Sequence, residues 1–388
     1  MLQNKIAIYH WLKNKKSYIG MLKSSTPTVN TVSRSHNNYI AIAKAIGIIS
    51  VVIWHSRPPQ EIGILLMFYA VPLFFFTSGF FYKPCHTKDE LKTTYLKRFK
   101  GLYLPFLKWS LVFLLLHNIF FHLNIYNGVY GIEGKVSELY NWKDFILRGI
   151  HVIFKVDGVE ELLGAFWFIR ALLFSSLMIA TIQFILRRYM QINRYIVCLI
   201  LLGLSIVSLY YKLRLPYIDS LYILFFSSFF YVTGYCYHKI ESERSYSNTV
   251  FLLSVALTGI GLIFFNHVAG VLENSAGDVL PYSIFAISGI LMVLNISKRI
   301  EHFKVKNFFY YVGNNTMVIL AMHLLSFKLI SLAKITYYGW PIERLAQFPV
   351  IEQNNSLWWL AYTLVGVGIP LILSKSYNLL VNKLYVER

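Results

Sequence analysis

The sequence predicts an all-α integral membrane protein, a bundle of about ten transmembrane helices with both termini in the cytoplasm. Composition is the first observation behind this. Of 388 residues, 56% are hydrophobic, 17% aromatic and only 14% charged, and the mean hydropathy is +0.52. That exceeds what a soluble core needs. The second is recurrence: apolar runs of about 20 residues, long enough to cross a bilayer as a helix, follow one another along the chain. The third is charge placement. With the N-terminus inside, segments 1–38, 83–100, 187–194, 238–248, 298–308 and 375–388 hold 24 Lys and Arg, and the opposite segments hold 9. Basic residues are retained on the cytoplasmic side, so the bias gives the orientation and an even number of crossings. The formal charge of +19 is therefore read as topology, with the lipid bilayer and no nucleic acid among the expected partners.

In chain order, residues 1–38 form a basic tail whose apolar run Ile6 to Ile8 is too short for a signal-peptide core. Ile6, Ile8, Tyr9, Trp11 and Leu12 fit a short interfacial helix, and an unstructured tail fits equally. Residues 39–388 form the membrane domain. Its first span, 39–56, carries Lys44 and His55 eleven residues apart, on nearly one helix face and about 16 Å apart along the axis. Polar groups are expensive at membrane depth, so this stripe is expected to line a reaction channel. Further spans follow at 63–83, where Pro72 interrupts a regular helix, and at 101–121, 165–186, 194–211, 216–237, 249–266, 279–297 and 309–328. The last, 356–382, is long enough to extend beyond the bilayer. Cys85, Cys198 and Cys236 show no paired or metal-type spacing and are read as reduced packing residues. Outer segment 122–164 mixes carboxylates with Tyr126, Tyr130, Tyr140 and Trp142, and outer segment 329–355 adds Tyr337, Tyr338, Trp340 and Pro341. An aromatic belt at the membrane surface accounts for most of these, and the mixture also suits a hydroxyl-rich ligand.

The chemistry narrows by what the spans contain. All 18 Asp and Glu lie in loops or at span ends, so no buried acid is there to relay protons as many ion-coupled transporters require. No cluster of His, Cys, Asp and Glu has metal-ligand spacing, and histidine remains as the main base. His55, His117 and His323 lie within spans. His117 is read as a helix-packing histidine, His323 as either a substrate contact or a packing residue, and His55 as the group that takes a proton from a hydroxyl. Thr77, Ser78 and Gly79 allow close approach of backbone or ligand, although a small-residue packing surface explains Ser78 and Gly79 as well. No G-x-S-x-G elbow surrounds Ser78, so it is not read as a nucleophile. Arg170, inside the fourth span, is expected to hold an acceptor or a loop carboxylate such as Glu160 or Glu161, or to snorkel to the surface.

Lys44, ten intervening residues and His55, followed by VPLFFFTSGFF at 71–81, resemble the acyltransferase-3 family of multi-pass membrane acyltransferases. That family shows Arg or Lys at this spacing before the histidine and then an FF-x-x-SGF run. Trp167 and Phe168 in AFWFIRALLF match its Trp-Phe pair, and His323 matches its histidine in the penultimate span. The resemblance covers roughly residues 38–385. Ala41 departs from it, standing where many members carry an acidic residue, which leaves Lys44 without that salt bridge. Lysine in place of arginine resembles the glycan O-acetylase subgroup and supplies a point charge instead of a planar fork. No appended esterase-like domain follows the last span, so the chain is expected to act alone or to pass the acyl group to a partner.

The resemblance implies a membrane O-acyltransferase in the plasma (bacterial inner) membrane. It would move an acyl group, most often acetyl, from cytoplasmic acyl-CoA to a hydroxyl of a cell-surface or lipid-linked glycan. Acetyl-CoA is then a co-substrate, with no permanently bound cofactor and no metal. On this reading donor binding falls to Lys44, Lys97, Arg98, Lys100, Ser78 and Gly79, although Lys97, Arg98 and Lys100 are equally explained as topology-setting charges. Acceptor binding falls to Trp167, Phe168, Arg170, His323, Glu160 and Glu161, and catalysis to His55, as base or as transient acyl carrier. Two alternatives are a transporter or flippase for a lipid-linked glycan and a non-catalytic component of a polysaccharide assembly complex. The lack of carboxylates in the spans and of visible repeats counts against the transporter. The oligomeric state is open at this stage.

Overall fold

Backbone polar groups in a bilayer have no water to bond, so a helix, which satisfies its own, is the expected answer to each apolar run. The computed structural model describes residues 38–131, 136–189, 193–215, 220–265, 270–272 and 274–386, and among them there are helices and no strand. The expectations for the basic tail fall on residues 1–37, outside the described residues. Tyr39–Arg388 make one compact unit.

The first span is α1, Asn38–His55. The second is broken into α2, Gln60–Tyr69, and α3, Pro72–Phe80, with Pro72 in the first turn of α3, where its missing N–H costs nothing. A continuous helical stretch, Lys88–His122, follows. It consists of α4 (Lys88–Arg98), a π-helical turn (Phe99–Tyr103) and α5 (Leu104–His122). Thr87 and Glu90 cap its start reciprocally. Lys97, Arg98 and Lys100 therefore lie on a helix that begins well before the expected span, not in an inner loop. The first outer segment contains α6, Trp142–Ile150. A 3-10 turn, Glu161–Phe166, leads into α7, Trp167–Tyr189.

Then come α8 (Arg194–Tyr210), α9 (Leu221–Ile240), α10 (Asn248–Phe264) and α11 (Val279–Ile300). The expected run 309–328 divides into α12, Lys306–Asn314, and a longer α13, Thr316–Tyr338. The second outer segment thus starts only after Tyr338, and Lys334, expected in it, is buried inside α13. The last helix is α14, Trp358–Val386. Seven stretches of the described residues are long and apolar enough to cross a membrane: α1, α2–α3, α4–α5, α7 with its leading turn, α11, α13 and α14. The ten expected runs exceed that number because α8 and α10 are short and α9 is diluted by tyrosine, serine and histidine.

Two buried apolar clusters divide α1 between them. Tyr39, Ile40 and Ala43 pack with α2, α3, α9 and α11, whereas Ala45, Ile48, Val51 and Val52 pack with α5, α7, α13 and α14. Close crossings rest on glycine: a Cβ on Gly79 would overlap the Tyr231 carbonyl, and one on Gly234 the Phe76 carbonyl, so α3 and α9 touch backbone to backbone. At the other end of α13, Lys328 Nζ donates to the carbonyls of Leu345 and Gln347, each at 2.9 Å, and Lys334 Nζ to that of Ile351 at 2.7 Å. Two buried ammonium groups thereby strap the 342–351 segment onto the helix.

Candidate active site

The polar stripe of α1 opens on a cavity of about 580 Å³, a size typical of small-molecule and cofactor sites. Its cations are Lys44 from α1, Lys83 after α3, and Lys97 and Arg98 from α4, with the hydroxyls of Thr77, Ser78, Thr94 and Thr316 among them. Ile48, Phe74, Phe168 and Leu320 supply apolar wall. No carboxylate lines it among the described residues, so the cavity is suited to an anion with an apolar arm.

Arg98 is fixed in place. Its Nη1 donates to Ser78 Oγ at 2.9 Å and its Nη2 to the Tyr231 hydroxyl at 2.8 Å. The π-helical turn that follows it shifts the helix register and brings Gly101 and Leu102 to the cavity wall. Lys44 has no carboxylate partner among the described residues. Beside Ala41, where an acidic residue was absent from the sequence pattern, the α12 backbone closes in, with Gly313 against the Ala41 carbonyl.

Lys44, Lys97, Arg98 and Ser78 line the cavity. Gly79, expected at the donor site, is instead the crossing point of α3 and α9, and Lys100 is exposed on the π turn and absent from the cavity wall. Lys83 and Thr94 were missed. Lys83 follows the SGFF run directly but for one tyrosine, a signal that was available. Tyr231 carries no local signal.

At the far end of α1, His55 and His323 meet, with Nδ1 of His55 3.3 Å from Nε2 of His323. Carbonyls only accept, so their contacts fix the protons. His323 Nδ1 lies 3.0 and 2.9 Å from the carbonyls of Ile319 and Leu320 and is the N–H donor; its Nε2 then carries a lone pair. His55 Nδ1 lies 2.9 Å from the Val51 carbonyl and also donates, sharing its hydrogen with His323 Nε2. With Nδ1 committed, Nε2 of His55 is the free basic nitrogen. His55 lines a second, smaller chamber of about 30 Å³, walled by Val51, Val71, Ala165 and the Phe74, Trp167, Phe168 and Leu320 side chains. His323, expected as an acceptor contact or a packing residue, stands against His55.

A cationic cavity beside a hydrogen-bonded histidine pair suits group transfer, and the comparison with known families decides the class. The acyltransferase-3 family, an acyltransferase domain, matches residues 37–375. The chain belongs to this family. No curated protein and no solved structure matches it. It is thus a multi-pass membrane protein of an acyltransferase family.

Beyond Trp167, which also faces His55, this acyltransferase-3 chain has a third hollow of about 50 Å³ formed by Trp167, Arg170, Phe174, Ser220 and Ile223. Arg170 Nη1 donates to Asp157 Oδ1 at 3.4 Å, a carboxylate upstream of the expected Glu160 and Glu161. Glu160 is buried, with its Oε2 3.1 Å from His117 Nδ1, while His117 Nε2 donates to the Glu138 carbonyl at 3.0 Å. His117 also stacks on Tyr140 with ring centroids 3.3 Å apart. Burial, with the Glu160 charge next in size, pushes the phenols of Tyr126 and Tyr140 up, so both remain protonated beside Glu160. Glu161 is also buried and interacts electrostatically with Lys328. Glu160 and Glu161 therefore brace segment 122–164, whereas Trp167 and Arg170 line the third hollow.

Proposed function

We propose that this protein is a membrane O-acyltransferase that carries acetyl from cytoplasmic acetyl-CoA to a hydroxyl of a cell-surface or lipid-linked glycan, in a plasma membrane of the bacterial inner type. The observation that carries the proposal is the placement of one cationic cavity and one histidine base along a single helix. Lys83, Lys97 and Arg98 receive the CoA phosphates, Lys44 follows the pantetheine arm, and the thioester reaches His55 past the apolar wall. Nε2 of His55 takes the proton of the acceptor hydroxyl, and the oxygen attacks the acyl carbon as the C–S bond breaks. The imidazolium is stabilised by its shared Nδ1 hydrogen bond, and its proton goes to the departing thiolate. Trp167 and Arg170 meet the acceptor sugar.

The orientation has geometric support. Thr316 and Met317 line the cavity with Lys44 while His323 meets His55, so α13 runs in the same direction as α1. Parallel spans must be separated by an odd number of crossings. Counting only the seven long stretches puts four between them (α2–α3, α4–α5, α7 and α11). Adding α8, α9 and α10 gives seven, an odd number, which supports the reading of ten crossings with both termini on one side; the bias of basic residues supports the cytoplasmic one. Changing His55→Ala is expected to abolish acetylation while the protein still inserts. The measurement is mass spectrometry of acetyl on purified surface glycans, together with acceptor-dependent release of CoA thiol. Full activity of that variant would sink the proposal.

A further inference from the structure

The cation-lined cavity and the chamber at His55 have three side chains in common, one from each of three helices: Phe74 of α3, Phe168 of α7 and Leu320 of α13. The rings of Phe74 and Phe168 stand 5.4 Å apart at 46°, and Phe75 braces Phe168 at 6.0 Å and 75°, within the range where aromatic pairs attract. Leu320 is 4% exposed, and its carbonyl accepts from His323 Nδ1, which ties its backbone to the histidine pair. The remaining walls of the small chamber are Val51, Val71, Ala165 and the Trp167 ring. Its volume of about 30 Å³ holds one or two water-sized groups. A methyl group fits there and a propyl chain does not.

We infer that Phe74, Phe168 and Leu320 form an acyl-length gate: the thioester carbonyl passes between them to His55 while its substituent seats in the small chamber, which accepts acetyl and rejects acyl groups of four carbons. The inference rests on the donor reading above. The bonds balance as in that reading, with the acyl carbon exchanging sulfur for oxygen, and the hydroxyl proton moving to His55 Nε2 and on to the thiolate. A pocket that cannot take a methylene discriminates by about 10-fold or more per group, so two added methylenes should cost roughly 100-fold.

The experiment uses the full-length protein in lipid nanodiscs with acetyl-CoA, propionyl-CoA and butyryl-CoA. Release of CoA thiol is followed with water standing in for the acceptor, and donor binding by displacement of a fluorescent CoA. The expected result is similar displacement by acetyl-CoA and butyryl-CoA, an acetyl-over-butyryl turnover ratio of about 100, and a ratio cut at least tenfold by Leu320→Ala and by Phe168→Leu. Equal turnover of both donors by the unaltered protein overturns the gate and leaves the donor reading standing. So does a ratio unmoved in both variants while thiol is still released. If both variants bind the donors but cleave neither, these residues serve transfer itself and the inference falls. If the unaltered protein neither binds nor cleaves any acyl-CoA, the donor reading fails and the gate with it.

Discussion

His323 Nε2 takes part of the hydrogen that His55 Nδ1 also offers to the Val51 carbonyl, so it holds the ring angle and, on the proposed mechanism, would ease the charge that appears when Nε2 takes a proton. His323→Ala should lower kcat by about 10- to 100-fold with the donor KM little changed. His323→Gln, whose amide oxygen can accept the same hydrogen, should recover part of the loss. Equal loss in both variants would reduce His323 to packing. Arg98 acts differently, because its two Nη groups are split between Ser78 and Tyr231. Arg98→Lys cannot span both partners, and should raise the donor KM nearly as much as Arg98→Ala in initial-rate measurements. The sequence made His55, Lys44 and Arg98 visible because charge in or beside an apolar run is conspicuous. It could not pair His55 with His323, 268 positions away, since helical periodicity tells which face is buried and not which helix covers it.

α3 and α9 owe their contact to two glycines that face each other's backbones, Gly79 at Tyr231 and Gly234 at Phe76. The SGF part of the sequence motif is thereby split in function: Ser78 meets Arg98 in the cavity and Gly79 closes the crossing. Gly79→Ala or Gly234→Ala must push the helices apart, at a cost of about 1–3 kcal/mol or more. The double variant should cost less than the two added, because the first separation makes room for the second. Detergent-extracted protein recovered as a single sharp size-exclusion peak, compared across the four forms, checks this; additive losses would place the glycines in separate contacts. Seven spans were legible at this scale from hydropathy, and Pro72 from its chemistry. The π-helical turn at Phe99–Tyr103 was not, for nothing in FKGLY sets it apart from an α-helical sequence, and it is the register shift there that aims Gly101 and Leu102 inward.

The whole bundle is organised by α1, whose first half packs into one apolar cluster and whose second half into the other, with the two chambers lying along it. Crossing number is the property on which direction of transfer depends. Hydropathy finds seven clear stretches and cannot weigh α8, α9 and α10, because helices inside a bundle need less lipid-facing apolar surface than isolated ones. The parallel run of α1 and α13 favours an even total, which ten satisfies and seven does not. Single cysteines at Lys92, on α4, and at Trp142, which is 84% exposed, together with one appended after Arg388, turn this into a measurement. In sealed vesicles of known orientation an impermeant maleimide should reach the Lys92→Cys and appended sites from the cytoplasmic face and Trp142→Cys from the other. The buried or half-buried Cys85, Cys198 and Cys236 give the background. Seven crossings would instead put the appended cysteine with Trp142→Cys, α13 would then oppose α1, and the pairing of His323 with His55 at one depth would be lost.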